Sequence, residues 1–156
     1  DFDKDIAVAE RPEYMPIDAR DPQRYELKKF ADRGGKLLLY GGWADLSLPP
    51  GGEIAYYKTV EKKLGAKATK DAVRLFMVPG MGHCPGTNGD ENFDVDSLKI
   101  IEQWKETGRA PDQIIATHFK KAVEVGKRPV CPYPQIATHK GSGSADDPAN
   151  FTCKAP

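Results

Sequence analysis

The chain has 156 residues, 39% hydrophobic and 29% charged, which is the composition of one folded domain rather than of a disordered segment. Lysine plus arginine match aspartate plus glutamate at 23 each, and no basic run is interleaved with aromatics, so neither nucleic acid nor an anionic membrane is an expected partner. The longest apolar runs, such as Leu37 to Tyr40, are far too short to span a bilayer.

Residues 1–19 show no clear period and predict an irregular lead-in. Their opening, DFDKDI, is charged, lacks a starting methionine and does not resemble a secretory signal. It suggests a processed or truncated chain. DARDPQRYELKKFADRGGK then predicts a helix. Asp21 can cap it, Pro22 suits its first position, Leu27, Phe30 and Ala31 share a face, and Gly34 and Gly35 stop it.

KLLLY (36–40) predicts a strand buried on both faces, followed by the loop GGWADLSLPPGG. Ile54, Tyr57, Val60 and Leu64 form a helical stripe ending near Gly65. VRLFMV (73–78) predicts a second buried strand, and VPGMGHCPG is the loop that leaves it. Asp94 can cap a third helix carrying Leu98, Ile101 and Trp104, with Gly108 and Pro111 at its end. QIIATHF predicts a later strand. Helices alternating with strands imply a parallel α/β sheet. The expected organisation is one partial domain: lead-in 1–19, α/β core 20–118 and tail 119–156.

Three cysteines leave one over. Cys131 and Cys153 lie in a tail rich in Pro, Gly and Ser. A bridge between them would close the tail and add about 3 kcal/mol on the chain-entropy account. Two free thiols are the alternative, which a secreted setting disfavours. With that pair bridged, Cys84 is left as a reactive thiol or as one half of a bridge to a partner outside the chain.

In α/β sheets, functional groups collect in loops at the carboxyl ends of the strands. The loop after the first strand has one ionisable side chain, Asp45, and the loop after the second has only His83 and Cys84. An acid followed by a histidine in that order matches the second half of a Ser–Asp–His triad. The ordinary alternatives are an aspartate that forms a turn and an incidental histidine. A metal held by His83 and Cys84 is a third reading. Adjacent residues chelate one ion poorly, however, and no other ligands stand at zinc-site spacing. None of Ser47, Ser97, Ser142 and Ser144 lies in a G-x-S-x-G turn, so the nucleophile of a triad would lie upstream of Asp1.

Weaker signals point to bland explanations. TNGDENFDVD alternates oxygen ligands but lacks the glycine and terminal glutamate of a calcium loop, and is better read as acids near a helix amino terminus. GSGS (141–144) reads as a flexible loop. Asn150-Phe151-Thr152 is a glycosylation sequon, meaningful only in a eukaryotic secretory host. His118 and His139 have no evident partners in the sequence.

Three blocks, DARDPQRYELKKFADRGGKLLLYGGWADLSLPPGGEIAYY, MVPGMGHCPG and RPVCPYPQIATHKGSGSADDPANFTC, follow in the order found in the tannase and feruloyl esterase family. The sequence resembles the carboxyl-terminal part of that family from about Ile17 to Cys153. The resemblance implies the carboxyl-terminal part of an α/β-hydrolase parallel sheet, with flanking helices and a disulfide-closed irregular tail. It implies a secreted or periplasmic serine esterase acting on aromatic or phenolic esters, with Asp45 as triad acid and His83 as base. By the same resemblance Cys84 pairs with the cysteine that precedes the nucleophilic serine, in an amino-terminal portion of the enzyme, and Cys131 pairs with Cys153. The family's calcium site belongs to a lid with no counterpart here, so no cofactor or metal residue is assigned to this chain. Trp43 and Leu46 flank the acid and are candidates for the acyl pocket. The chain alone is expected to be nearly inert. Outside the esterase reading stand two others, an interaction module pairing through an open sheet edge and a metal-binding protein.

Overall fold

A computed structural model describes residues 1–9, 11, 22–83, 91–145 and 147–156. The centre of the fold is a parallel pair. Strand β1 (Leu37–Gly42) lies beside β2 (Val73–Val78) in a register running from Leu37 opposite Val73 to Gly42 opposite Val78. Helices α3 (Pro50–Leu64) and α4 (Ala66–Ala72) form the crossover that a parallel pair requires. The apolar stripe expected on α3 meets the sheet: Tyr57 and Val60 are buried, with Ile54 and Leu64 packed at the margin.

Alternation along β2 assembles two cores. Val73, Leu75 and Met77 face α3, while Phe76 and Val78 face Val95, Ile114, Ala116 and Val130. Strand β2 is therefore buried on both sides, as VRLFMV predicts. KLLLY falls short of that expectation. β1 is only half-buried over Leu37–Leu39, and Tyr40 is exposed, because β2 is its one strand neighbour among the described residues.

The second layer is an antiparallel sheet of β3 (Glu91–Asp94), β4 (Ile114–Lys120) and β5 (Val123–Val130), in the order β3-β4-β5. QIIATHF thus supplies the central strand of a separate sheet and does not extend the parallel one. The tail carries more regular structure than its composition suggests, with β6 (Ile136–His139) pairing antiparallel with β7 (Phe151–Lys154). Pairing partners supply what apolar periodicity does not. Cys131 and Cys153 are bridged, with Cα atoms 5.6 Å apart, and this closes the tail. Just beyond Cys131, Pro132 bridges to Phe76, and the Tyr133 amide donates to the Leu75 carbonyl at 2.8 Å. These contacts dock the tail on the outer edge of β2.

Four local expectations change. Residues 2–9 form helix α1 (Phe2–Ala9), where an irregular lead-in was expected; eight residues free of proline and glycine can wind locally without a strong apolar period. The single helix expected from Asp21 onward is two short pieces, a 3-10 turn at Pro22–Tyr25 and α2 at Lys28–Asp32, with Leu27 at the α2 cap. Asp21 itself lies outside the described residues. Helix α5 (Ser97–Thr107) is capped by Asp96, whose carboxylate accepts the Lys99 amide, and not by Asp94. Asp94 is instead the last residue of β3, opposite Thr117, so the acids of ENFD lie on a strand and not at a helix start. In the tail, the Asn150 side-chain amide donates to the Ser144 carbonyl, so the sequon asparagine is engaged within its own loop.

Candidate active site

Because β1 and β2 are parallel and in register, the loops that follow them leave the same end of the sheet. The Trp43 amide donates to the Val78 carbonyl at 3.1 Å and carries the ladder one residue past β1. The Ala44 amide then donates to the Met81 carbonyl at 3.1 Å, tying one loop to the other. Gly42 makes this possible, since a Cβ there would run into the Met81 carbonyl oxygen. At Gly80 the backbone turns through a left-handed conformation, φ 77°, which a glycine adopts without strain. The side chains two residues beyond Met81 and one beyond Ala44 are thereby brought together.

Those side chains are His83 and Asp45. Nδ1 of His83 lies 2.9 Å from Oδ2 of Asp45. The other carboxylate oxygen, Oδ1, accepts the amides of Ser47 and Leu48 at 2.8 Å each. The acid is therefore clamped on one side by its own loop and presented on the other to the imidazole. Only 10% of the Asp45 side chain is exposed, against 40% for His83. The Leu48 amide, opposed by partial burial and supported by His83 and the Ser47 amide, holds the Asp45 carboxyl below its ordinary value. An ionised carboxylate only accepts, so Nδ1 carries the proton and Nε2 of the neutral ring is left as the proton acceptor. A base of that tautomer, oriented by a carboxylate, can take a proton from a hydroxyl nucleophile.

The other residues singled out in the sequence are placed as follows. Trp43 is half-exposed and lines a cavity of about 190 Å³ with Met77, Pro79, Tyr133, Pro134 and Ile136. Leu46 projects almost wholly into solvent. Both lie within two residues of Asp45 in the same loop. Ser47 enters through its backbone amide. Cys84 lies outside the described residues. Among the described residues no three His, Cys, Asp or Glu side chains cluster as a metal site would need. Sequence reasoning missed the parts that act through the main chain: the Leu48 amide, the Met81 carbonyl and the close approach at Gly42. The paired glycines that end β1 were the available signal.

The profile of a family described as "Tannase and feruloyl esterase" matches residues 4–154. A mono(2-hydroxyethyl) terephthalate hydrolase from Piscinibacter sakaiensis is 45% identical over 136 residues, covering 84% of this chain and 22% of that protein. Feruloyl esterase B from Aspergillus niger is 31% identical over 163 residues, covering 95% of this chain and 30% of that one. The crystal structure of feruloyl esterase B from Aspergillus oryzae superposes with a TM-score of 0.74 at 25% identity, over 97% of this chain and 32% of the other. The chain thus spans between 22% and 32% of the length of these relatives. The parallel sheet with its flanking helices and bridged tail agrees with the α/β-hydrolase architecture of those neighbours. With a family profile matched along nearly its whole length and a relative this similar, the chain belongs to the tannase and feruloyl esterase family.

Proposed function

We propose that this chain supplies the acid and the base of a serine carboxylic-ester hydrolase acting on esters of aromatic or phenolic acids. The observation that carries the reading is the 2.9 Å approach of His83 Nδ1 to Asp45 Oδ2, at the end of a parallel sheet where hydrolase chemistry collects. The substrate class rests on the relatives, whose names specify terephthalate and feruloyl esters.

In this reading the nucleophilic serine belongs to an upstream portion of the enzyme. Its hydroxyl oxygen bonds to the ester carbonyl carbon as its proton passes to His83 Nε2. Asp45 holds the ring and stabilises the imidazolium. Collapse of the tetrahedral intermediate breaks the bond to the alcohol oxygen, which leaves with that proton. Water then adds to the acyl-enzyme by the same route, releasing the acid and restoring the serine. The chemistry requires no cofactor from this chain. Trp43 and Leu46 contribute apolar surface beside the acyl group.

Cys84, next to the base, would bridge to the cysteine before the serine and anchor the histidine loop to the nucleophile turn. The Cys131–Cys153 bond supports an oxidising address, outside the cell or in a periplasm. No helix among the described residues is long and apolar enough to cross a membrane.

Two measurements test the proposal. Mass spectrometry of the unreduced natural protein should find Cys84 joined to a cysteine adjacent to a serine. Residues 1–156 alone should not turn over methyl ferulate or methyl gallate, since loss of a triad serine lowers kcat by about 10⁶-fold in subtilisin. Serine-type turnover by the pure chain, or stoichiometric zinc bound through Cys84, would overturn it.

A further inference from the structure

We infer that a cavity behind the histidine loop is a binding site for an aromatic carboxylate. The cavity holds about 500 Å³, within the range of roughly 300–1,000 Å³ usual for small-molecule pockets. Three parts of the fold enclose it: the chain that leaves β2 toward His83 (78–80), the antiparallel sheet, and the tail hairpin of β6 and β7. Neither Asp45 nor His83 is among its lining residues.

Strand register explains why the space exists. Phe93 pairs with His118, His118 with Gly126, and Ala116 with Arg128. Residues directly opposite one another share a face of the sheet, as do alternate residues of one strand. Phe93, His118 and Arg128 therefore lie on the face of Ala116, which is buried against Phe76 and Val78 of β2. Gly126 sets no side chain opposite His118, and Ala137, which reaches the cavity from the tail, is small. The face is left unfilled where these two stand.

The lining is aromatic and cationic. The rings of Phe93 and His118 stack with centroids 4.5 Å apart and planes 6° from parallel. Phe151 enters from β7, with His139 edge-on to it at 5.1 Å. Arg128 is held by Nη1, which donates to the Ala145 carbonyl at 2.6 Å and to the Lys127 carbonyl at 3.2 Å. A guanidinium has five N–H donors, so it can hold its own chain and a ligand together. No carboxylate stands among the described residues that line the cavity. Aromatic walls select a flat ring, and a guanidinium fork selects a carboxylate.

The cavity also touches the loop of the base. Gly80 has a φ of 77°, and a Cβ placed on it would lie 3.1 Å from Cε2 of Phe93. The ring offered to the ligand thus packs on the loop three residues before His83, and an occupant would fix that loop from behind. An aromatic carboxylate is the class of acid that the hydrolysis proposed above releases. That identification of the natural ligand rests on the proposed function, whereas the binding rests on the cavity walls alone.

Titration of the 156-residue chain with ferulate, followed by amide NMR, tests the site. Ferulate should saturably shift the Gly80, Phe93, His118 and Ala137 amides, and should still do so in His83→Ala. Methyl ferulate lacks the charge and cyclohexanecarboxylate lacks the aromatic ring, so each should bind at least about ten-fold more weakly. Arg128→Gln should weaken ferulate about ten-fold and leave methyl ferulate unchanged. Because Arg128 also ties down Ala145, Ala137→Phe is the companion variant. It fills the cavity without removing a charge, and should abolish the ferulate shifts with the thermal melt unchanged. Equal binding of ferulate and its methyl ester, shifts confined to Ser47 and Leu48, or no binding at millimolar ferulate would overturn the inference. So would binding that survives Ala137→Phe. Ferulate binding in a protein whose Cys84 proves to be a free thiol would keep the site and remove the reading of its ligand as a product. A bridged Cys84 without ferulate binding would keep the esterase reading and remove the site.

Discussion

Nδ1 of His83 lies 2.9 Å from Oδ2 of Asp45, although 38 positions separate the two residues. Both oxygens of the acid are engaged, one by the imidazole and one by the Ser47 and Leu48 amides. Under the proposed function, Asp45→Asn in a protein that carries the serine should keep the fold and lower kcat about 10⁴-fold, as in the trypsin-type triad, because the amide no longer selects the reactive tautomer. His83→Ala should abolish turnover. Steady-state kinetics on methyl ferulate, with circular dichroism as a control, checks both.

The same carboxylate has a signature in acid. Its folded-state value is depressed below 3.8, chiefly by the Leu48 amide, so its contribution to stability is complete above the unfolded value. That contribution is lost as pH falls through the folded value. Amide shifts of Ser47 and Leu48, followed by NMR in the free chain, should therefore titrate with a midpoint below 3.8. A midpoint above it would contradict the clamp described.

Glu53 behaves in the opposite sense. Burial, and then the charge of Asp45, push its carboxyl above 4.5. Its Oε2 is buried without a hydrogen-bond partner among the described residues and packs where a Cβ of Gly41 would stand. A group with a raised folded value favours the fold below its unfolded value and loses that advantage as pH rises through the folded one. Glu53→Gln should accordingly raise Tm at pH 7 and make little difference at pH 3. Thermal melts at the two pH values decide it; equal effects at both would point to packing alone.

Gly42 is the narrowest point between the two loops. Gly42→Ala should cost about 1–3 kcal/mol, the usual penalty for overpacking, because the obstacle is the Met81 main chain and not a flexible side chain. It should also separate His83 from Asp45. Urea denaturation gives the first effect. Loss of the Nδ1–H signal shared with Asp45, seen by NMR at low temperature, gives the second.

The Cys131–Cys153 bond joins the segment after β5 to β7. Replacing both cysteines by serine should lower stability by about 2–4 kcal/mol. The change should also be felt at Trp43, whose cavity includes Cys131, Tyr133 and Ile136. Denaturant titrations with and without reductant, followed by tryptophan fluorescence, measure both effects. A wild-type chain indifferent to reductant would refute this account of the tail.

Much of this is legible in the sequence. VRLFMV declares a buried strand because five of its six residues are apolar and, Arg74 apart, they fall on both faces, and the stripe Ile54, Tyr57, Val60 and Leu64 declares the helix that covers it. The helix expected from Asp21 to Arg33 failed because its punctuation allows a turn as readily as a helix, and only packing chooses. Asp94 and Asp96 are equally good caps by type. The choice fell to Asp96 because Asp94 is drawn into the ladder opposite Thr117.

By itself, the sequence determined the family resemblance and the parallel pair, because these follow from local pattern, and it nominated Asp45 and His83 as acid and base through residue order and that resemblance. The tertiary structure alone decided that the acid's second oxygen is held by the Ser47 and Leu48 amides, and that Gly42 and Met81 are the contact joining the two loops. It alone showed that, among the described residues, β1 has β2 as its one strand neighbour. Main-chain amides and carbonyls are the same in every residue type except proline. No reading of side chains along a sequence can therefore say which of them will meet.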